Sequence, residues 1–182
     1  MLGNIAINNE FWKGNIVIEP YDDKQLGPNS YDVRLWKYIY RQRKDFYNGK
    51  GITQDTIWEK EYEEHNEGFW LMPSELILAA TIEIIGGRND ISSYLRARST
   101  VGRQGLSVCD SAGFGDVGFI DHWTLEIQNV SQFSLFLPIG IRIAQICFFR
   151  VEDCDLEYKG AYKQQGLWTP ERMLPKLGKD RF

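Results

Sequence analysis

Long apolar runs, cysteine and an excess of either charge are all scarce in this 182-residue sequence. No stretch approaches the ~20 consecutive apolar residues that a membrane-spanning helix needs, and no basic region followed by an apolar run opens the chain. We therefore expect a soluble protein that is neither secreted nor membrane-spanning. The 21 basic and 25 acidic residues give a formal net charge of −4, so the bulk charge predicts no nucleic-acid partner.

The three cysteines, Cys109, Cys147 and Cys154, form no C-x-x-C pair. An odd number at this spacing favours neither a disulfide framework nor a structural zinc site, and it predicts small buried side chains in a reducing compartment, the cytoplasm. His65 and Glu67 match the first half of a zinc-deaminase signature, but the second half, P-C-x-x-C, is missing. We therefore predict no metal ligands.

Short apolar segments separated by Gly, Pro, Asn and Asp dominate the chain. They predict one all-β domain over residues 1–182, a barrel or a sandwich. A short helix is expected over residues 4–12, a second helical stretch over residues 58–65, and a flexible polar tail or lid over about 157–182. The predicted strands cover residues 16–18, 30–35, 76–85, 106–109, 123–128, 135–137 and 141–151.

Residues 113–118 satisfy G-x-G-x-x-G, the dinucleotide fingerprint. That fingerprint needs a helix directly after the glycines, so that the helix N-terminus meets the pyrophosphate. The residues that follow, 119–127, alternate like a strand instead. The glycines therefore predict a tight turn in which backbones approach closely, rather than a nucleotide fold of that type.

Three arginines and two hydroxyl side chains lie within ten residues of this otherwise acidic chain: Arg96, Arg98, Ser99, Thr100 and Arg103. The rigid donor fork of arginine suits phosphate oxygens, and hydroxyls beside backbone N–H groups complete an anion cradle. A surface arginine cluster explains the same spacing. Both interpretations stay open on the residues alone.

Polar and apolar residues alternate over 124–128, so that Thr124, Glu126 and Gln128 share one face of a strand. A Glu at such a place is most often directed to solvent. The residues alone do not assign it a chemical role.

Five blocks in one order resemble the dCTP deaminase branch of the dUTPase-like superfamily. The blocks are I-E-P with P-N-S-Y-D-V-R-L (18–35), L-M-P-S-E-L-I-L-A-A-T (71–81), R-S-T-V-G-R-Q-G-L (98–106), S-A-G-F-G-D-V-G-F through T-L-E (111–126) and Y-K-G-A-Y-K-Q-Q-G (158–166). The resemblance implies a distorted dUTPase-like β-barrel or sandwich with a short N-terminal helix and a C-terminal lid.

The resemblance also implies an enzyme, which deaminates dCTP to dUTP by hydrolysis without zinc. The A-G-F at residues 112–114 resembles the branch that goes on to release diphosphate and form dUMP. Mg²⁺ would be bound through the substrate triphosphate, and the protein would be a homotrimer whose active sites are shared between subunits.

Carried over residue by residue, the resemblance makes Glu126 the general base that takes a proton from the water attacking C4 of cytosine. Ser99, Arg103 and the backbone carbonyl of Ala112 would orient that water and the base. Asp116 would accept from the deoxyribose 3′-hydroxyl and help to activate water for diphosphate release. Glu126 is then expected to be partly desolvated near Arg103, two opposing influences on its pKa.

Substrate binding would fall to residues that hold the phosphates, the sugar, the base or the closed lid. The resemblance implies Arg98, Ser99, Thr100, Arg103, Asp116, Thr124, Leu125, Glu126, Tyr158, Tyr162 and Gln165. Among these, Tyr162 and Gln165 would close over the triphosphate.

Some residues depart from the family pattern. Ala161 stands where a lid lysine is usual, Gly115 replaces an aliphatic residue, and Asp110 and Asp121 add charge near the expected pocket. These departures leave room for a modified cytosine as substrate. Two alternatives to deamination are a dUTP diphosphatase of the same fold and a non-catalytic nucleotide-binding module.

Overall fold

The computed structural model describes residues 1–43, 57–59, 61–163 and 166–176. One helix, α1 (Asn4–Trp12), opens the chain, and a single helical turn, α2 (Ser99–Arg103), follows later. The strands are β1 (Ile16–Glu19), β2 (Tyr31–Arg41), β3 (Glu63–Glu64), β4 (Gly68–Leu71), β5 (Leu76–Gly87), β6 (Ile91–Ala97), β7 (Leu106–Val108), β8 (Phe114–Gly115), β9 (Ile120–Asn129), β10 (Leu135–Pro138) and β11 (Arg142–Arg150). Short 3₁₀ turns cover Asp23–Gln25 and Pro170–Met173.

Within the described ranges, nine strands form one sheet in the order β7-β9-β5-β2-β11-β6-β8, with β1 added to β5 and β3 to β2. β4 and β10 pair separately, and each of these pairings is antiparallel. The prediction of an all-β fold with a short N-terminal helix is confirmed. The expected strands are present, most of them longer than the sequence pattern indicates.

Buried and half-buried side chains alternate along β9, so one face of this strand belongs to the core and the other is accessible. Trp123, Leu125 and Ile127 are buried in the main hydrophobic cluster, and each such side chain contributes roughly 1.5–3 kcal/mol by leaving water. Because successive strand residues point to opposite faces, Thr124 and Glu126 lie on the other side. A slip of one residue would exchange the two sets, so core burial fixes where Glu126 lies.

A fully buried carboxylate ties β2 to β5. Glu83 accepts hydrogen bonds from Gln25 Nε2 at 2.9 Å and from the Arg34 backbone N at 2.8 Å, and it pairs with Arg34 Nε at 2.6 Å. Both oxygens of this carboxylate are satisfied, which is what a buried charge requires.

The prediction of a helix over residues 58–65 is wrong for the described part of that segment. Trp58 forms an isolated bridge with Gln42, and β3 pairs with β2. The acidic side chains there pair across the sheet, Glu63 with Arg41 at 2.8 Å and Glu64 with Lys37. Cross-strand charge pairing outweighs the helical tendency of the acidic run.

The glycine-rich turn before β9 is a place of close backbone approach, as the sequence predicts. A Cβ on Gly113 would lie 2.3 Å from the Leu95 carbonyl oxygen. A Cβ on Gly115 would lie 2.4 Å from Ser93 Oγ and 2.6 Å from the Trp123 ring. The strand β9 follows these glycines rather than a helix, so the dinucleotide fingerprint is not used as one.

Substitution of Gly115 by Ala tests this packing. The added methyl forces the Trp123 ring to move, and we expect Gly115→Ala to lower the free energy of unfolding by about 1–3 kcal/mol. Gly102→Ala is the matched control, because a Cβ there meets nothing within 4 Å. Denaturant unfolding measures both, and equal stabilities of the two variants would contradict the close approach.

Candidate active site

A cavity of about 440 Å³ lies on the face of β9 that carries Thr124 and Glu126. Its volume is in the range of sites for small organic ligands. Its lining comes from β5, from β9 and the turn before it, from the segment 57–59 and from the C-terminal tail: Trp58, Leu78, Ala112, Phe114, Asp116, Phe119, Asp121, His122, Trp123, Thr124, Glu126, Tyr158, Tyr162, Trp168, Arg172, Met173 and Pro175.

Glu126 lies between β5 and β7 on the cavity wall. It faces Leu78 across β5–β9, and its backbone carbonyl accepts from the Cys109 N–H at 2.9 Å. Among the described residues, its side-chain Oε2 has no hydrogen-bond partner although it is buried. Burial raises the pKa of Glu126. Hydrogen bonding to its own backbone N–H and to the Cys109 thiol lowers the pKa, but by less than burial raises it. A carboxyl with a raised pKa holds a proton more strongly, which suits a general base.

An aromatic stack closes one side of the cavity. The His122 ring lies flat on Trp36 at a centroid distance of 4.5 Å, and Trp168 from the tail approaches both rings, at 5.2 Å and 4.7 Å. The Nδ1 atom of His122 lies 2.9 Å from the Thr81 carbonyl oxygen, which can only accept, so Nδ1 carries the hydrogen. Burial lowers the pKa of His122, which makes this ring neutral at neutral pH.

An ion pair fastens the tail beside the stack. Arg172 Nη2 lies 2.5 Å from Asp121 Oδ2, and the two side chains are only 14% and 5% exposed. Burial raises the pKa of Asp121, and Arg172 together with the His122 backbone N–H acts against that rise. Met173, one residue on, packs with Tyr40 and other apolar side chains. The tail is therefore a wall of the cavity.

Six of the residues expected from the sequence line this cavity: Ala112, Asp116, Thr124, Glu126, Tyr158 and Tyr162. Leu125 is fully buried in the core, so only its backbone is left for a ligand in the cavity. Gln165 lies outside the described residues.

The arginine-rich block lies elsewhere on the chain. Ser99, Thr100 and Arg103 belong to α2 and are exposed, and Arg98 precedes it with its Nε 3.1 Å from Asp32 Oδ2. None of these four is among the described residues that line the cavity. The expectation that Arg103 lies beside Glu126 is therefore not met within one chain.

Asp110 does not act as a free charge beside Glu126. It pairs with Arg96 at 2.7 Å and accepts a hydrogen bond from Ser107 Oγ at 2.6 Å. The charge that the sequence adds at this position is thus largely neutralised on the surface.

Several wall residues were missed by sequence reasoning. Trp168, Arg172 and Met173 lie after the last recognised block, in a stretch expected to be a polar tail. The available signal was two pairs of large apolar residues, Leu167–Trp168 and Met173–Leu174, in otherwise polar sequence. Apolar residues in a polar stretch indicate that the tail packs against the domain, but they do not indicate which surface it packs against.

The described residues hold no group of three or more His, Cys, Asp or Glu side chains able to bind a metal ion. No helix within the described ranges has the length and apolar character to cross a membrane.

A family model described as dCTP deaminase-like matches residues 1–151, most of the chain and all of the sheet. The chain belongs to this family. A dUMP-forming dCTP deaminase of Thermobifida fusca is 36% identical over 171 residues, covering 87% of this chain and 85% of the relative. Another, of a Nocardioides species, is 34% identical over 180 residues and covers 94% of each chain.

Solved structures show the same fold. The 2′-deoxycytidine 5′-triphosphate deaminase of Agrobacterium tumefaciens superposes with a TM-score of 0.63 at 24% identity, over 81% of this chain and 47% of that chain. The dUTPase of Staphylococcus bacteriophage 80alpha gives a TM-score of 0.50 at 13% identity, over 80% and 96%. The predicted family and the dUTPase-like fold are confirmed.

Removal of the Trp168 ring tests whether the tail docks through the aromatic stack. We expect Trp168→Ala to speed deuterium exchange of backbone amides over residues 166–176 at least about tenfold, with β5 and β9 unchanged, because docking is a local equilibrium. Trp12→Ala is the control, since Trp12 is 77% exposed on α1. Unchanged tail exchange in Trp168→Ala would contradict the docking role of the ring.

Proposed function

We propose that this protein hydrolyses the 4-amino group of dCTP and then releases diphosphate, so that the final product is dUMP. The observation that carries the proposal is Glu126, a partly buried carboxyl whose buried Oε2 has no hydrogen-bond partner among the described residues, in a cavity of nucleoside size. Family membership and relatives named dUMP-forming dCTP deaminases support the same chemistry.

Glu126 would act as the base of the deamination. It takes a proton from water while the water oxygen bonds to C4 of cytosine, and the proton then passes to the 4-amino group. The second proton of that water moves to N3 as the C4–N bond breaks and the C4=O bond forms, so that ammonia leaves and uracil remains. The raised pKa of Glu126 helps both transfers, because the carboxyl can accept and return a proton. The backbone carbonyl of Ala112, also on the cavity wall, would orient the water.

The second hydrolysis would take place at the other end of the nucleotide. Asp116 is exposed at the cavity, where its carboxylate would accept from the 3′-hydroxyl and orient a water toward the α-phosphorus. That water bonds to phosphorus as the bond to the bridging oxygen breaks, and diphosphate leaves. Thr124, Tyr158 and Tyr162 would contact the nucleotide from the walls.

A second copy of the chain would complete the site. Arg98 and the exposed Ser99, Thr100 and Arg103 lie outside the described lining of the cavity in their own chain, and arginine side chains beside hydroxyls suit phosphate oxygens. We propose a homotrimer in which these residues of one subunit face the Glu126 cavity of the next. Leu125 would contribute its backbone, and Gln165 would close with Tyr162.

Mg²⁺ would arrive bound to the phosphate oxygens, where it supplies neutralisation of the charge that develops as diphosphate leaves. Mg²⁺ held through phosphates needs only one or two protein carboxylates, and the exposed Asp116 on the cavity wall would supply one. Independence from zinc, the cytoplasmic location, the absence of nucleic-acid and membrane partners, and a single domain with a flexible lid stay predictions.

Separation of nucleotides after incubation with dCTP and Mg²⁺, with no zinc added, tests the function. We expect ammonia and dUMP in equal amounts from the wild type. Glu126→Gln removes the base, so we expect ammonia release to fall at least about 100-fold while dCTP binding is kept. Glu152→Gln, a change at an exposed carboxylate, is the control and keeps full activity.

Each other product has a distinct meaning. Accumulated dUTP would show deamination without diphosphate release. Hydrolysis of dUTP with dCTP untouched would establish the diphosphatase instead, and dCTP bound but unchanged would establish a binding module. Ammonia release by Glu126→Gln at the wild-type rate would remove Glu126 from the mechanism.

A further inference from the structure

Cys109 lies against the carboxyl that the proposed function makes the base, and no step of that reaction uses it. It follows β7 directly, its backbone N–H donates to the Glu126 carbonyl oxygen at 2.9 Å, and its side chain is fully buried. Its Sγ lies 3.6 Å from the carbonyl oxygen of Thr124, the neighbouring residue on the cavity face of β9. Cys109 therefore contacts β9 at both residues of that face that flank Leu125.

The backbone of Cys109 has a conformation that side chains seldom adopt. Its φ is +51°, in the left-handed region, and it is the one buried residue among the described non-glycine residues with a positive φ. The other three, Ser74, Asn89 and Asp153, are exposed. A residue with a Cβ stays in this region only where its surroundings hold it, and such places are common in reactive sites. The fold thus fixes the thiol beside β9.

The Cys109 thiol keeps its proton at neutral pH. Burial raises its pKa well above the ordinary value, and the nearby Glu126 carboxyl raises it further. A protonated thiol is a weak hydrogen-bond donor, and two acceptors lie beside this one, the Thr124 carbonyl oxygen and the Glu126 carboxyl. Because the thiol has a single hydrogen, rotation of the S–H bond about Cβ–Sγ directs it to one acceptor at a time.

The charge of Glu126 decides which acceptor is used. An ionised carboxylate accepts a stronger hydrogen bond than a neutral carbonyl does. The S–H therefore turns to Glu126 when that carboxyl is ionised, and to the Thr124 carbonyl when Glu126 has taken up a proton. A donor that favours the ionised form lowers the pKa of Glu126, and it acts against the rise that burial causes.

The other titratable and charged groups around Glu126 leave this role to the thiol. On β5, Leu76–Ala80 is entirely apolar, and Asp110, next to Cys109, pairs with Arg96. Within the described part of the chain, Cys109 is the one other side chain whose contact shifts the pKa of Glu126. The remaining titratable groups on the cavity wall are Asp116, Asp121, His122, Tyr158, Tyr162 and Arg172, of which Asp121 and Arg172 pair with each other.

We propose that Cys109 is a positioning residue for Glu126: its S–H turns from the Thr124 carbonyl to the carboxylate when Glu126 is ionised and holds the base in one orientation. The buried Oε2, which has no hydrogen-bond partner among the described residues, is then left to the reactant water. The hydrogen stays on sulfur throughout, so the thiol orients the base and exchanges no proton with it. The water and the base rest on the proposed function, whereas the thiol–carboxylate contact does not.

A carbon-13 NMR titration of protein labelled at the glutamate carboxyls measures this contact without any turnover. The Glu126 signal is the one missing from Glu126→Gln. We expect Cys109→Ala to raise the pKa of Glu126 by about one unit, tenfold in its ionisation constant, because a donor to the charged form is lost. Cys109→Ser supplies a stronger donor and should lower the pKa by about half a unit below the wild type. Cys147→Ala, which removes a thiol on β11 outside the described cavity lining, leaves it unchanged.

The pH profile of dCTP deamination separates this role from simple packing. The acid limb of kcat/KM reports ionisation of the base in the free enzyme, so a raised pKa moves the limb to higher pH. We expect that shift in Cys109→Ala, by the same amount as in the titration, and the opposite shift in Cys109→Ser. A packing role alone would lower the free energy of unfolding of both variants and leave the limb in place.

A Glu126 pKa that is equal in Cys109→Ala and the wild type would overturn the assignment, and so would equal values in the Ala and Ser variants. If Cys109→Ala does not fold, Cys109→Ser decides alone, because an unchanged or raised pKa in that variant contradicts a donor role. Failure of the proposed function has a different signature: wild-type protein releases no ammonia from dCTP, while the carboxyl titration of Glu126 still responds to Cys109.

Discussion

Two carboxyls of this sheet, Glu83 and Glu126, have opposite surroundings, and the proposed function depends on the difference. Glu83 is fully buried, and Gln25 and Arg34 satisfy both of its oxygens, so it serves the fold. Glu126 is partly buried, its buried Oε2 has no hydrogen-bond partner among the described residues, and desolvation raises its pKa. A fold tolerates such a group at a cost in stability, and the cost is typical of a reactive site.

The surrounding structure holds Glu126 at this partly buried position. The β5–β9–β7 ladder fixes its register, and the core residues on the opposite face of β9 prevent a slip. The tail adds a further wall of the cavity through Trp168 and Arg172.

The features that the sequence predicted correctly are those that depend on residues near one another in the chain. Period-two alternation predicts β9 and with it the face of Glu126, and glycine at positions 113 and 115 predicts close approach because any Cβ there would collide. It placed residues 58–65 in a helix because the partners of Glu63 and Glu64 come from β2, far away in sequence.

The same limit explains the tail and the arginine block. The docking of Trp168 depends on a surface formed by Trp36 and His122, which no local pattern reveals. Motif order brought Arg103 and Glu126 into one expected site, but order along a chain does not say which copy of the chain supplies each residue.

The central claim is that the Glu126 cavity of one subunit works with α2 of another. Glu126→Gln and Arg103→Ala are each expected to be inactive, and the decisive measurement is the ammonia release of trimers assembled from an equal mixture of both. Random assembly around a ring leaves about a quarter of the sites with both residues intact, so about a quarter of wild-type activity should return. Mixed trimers as inactive as their parents would contradict the shared site.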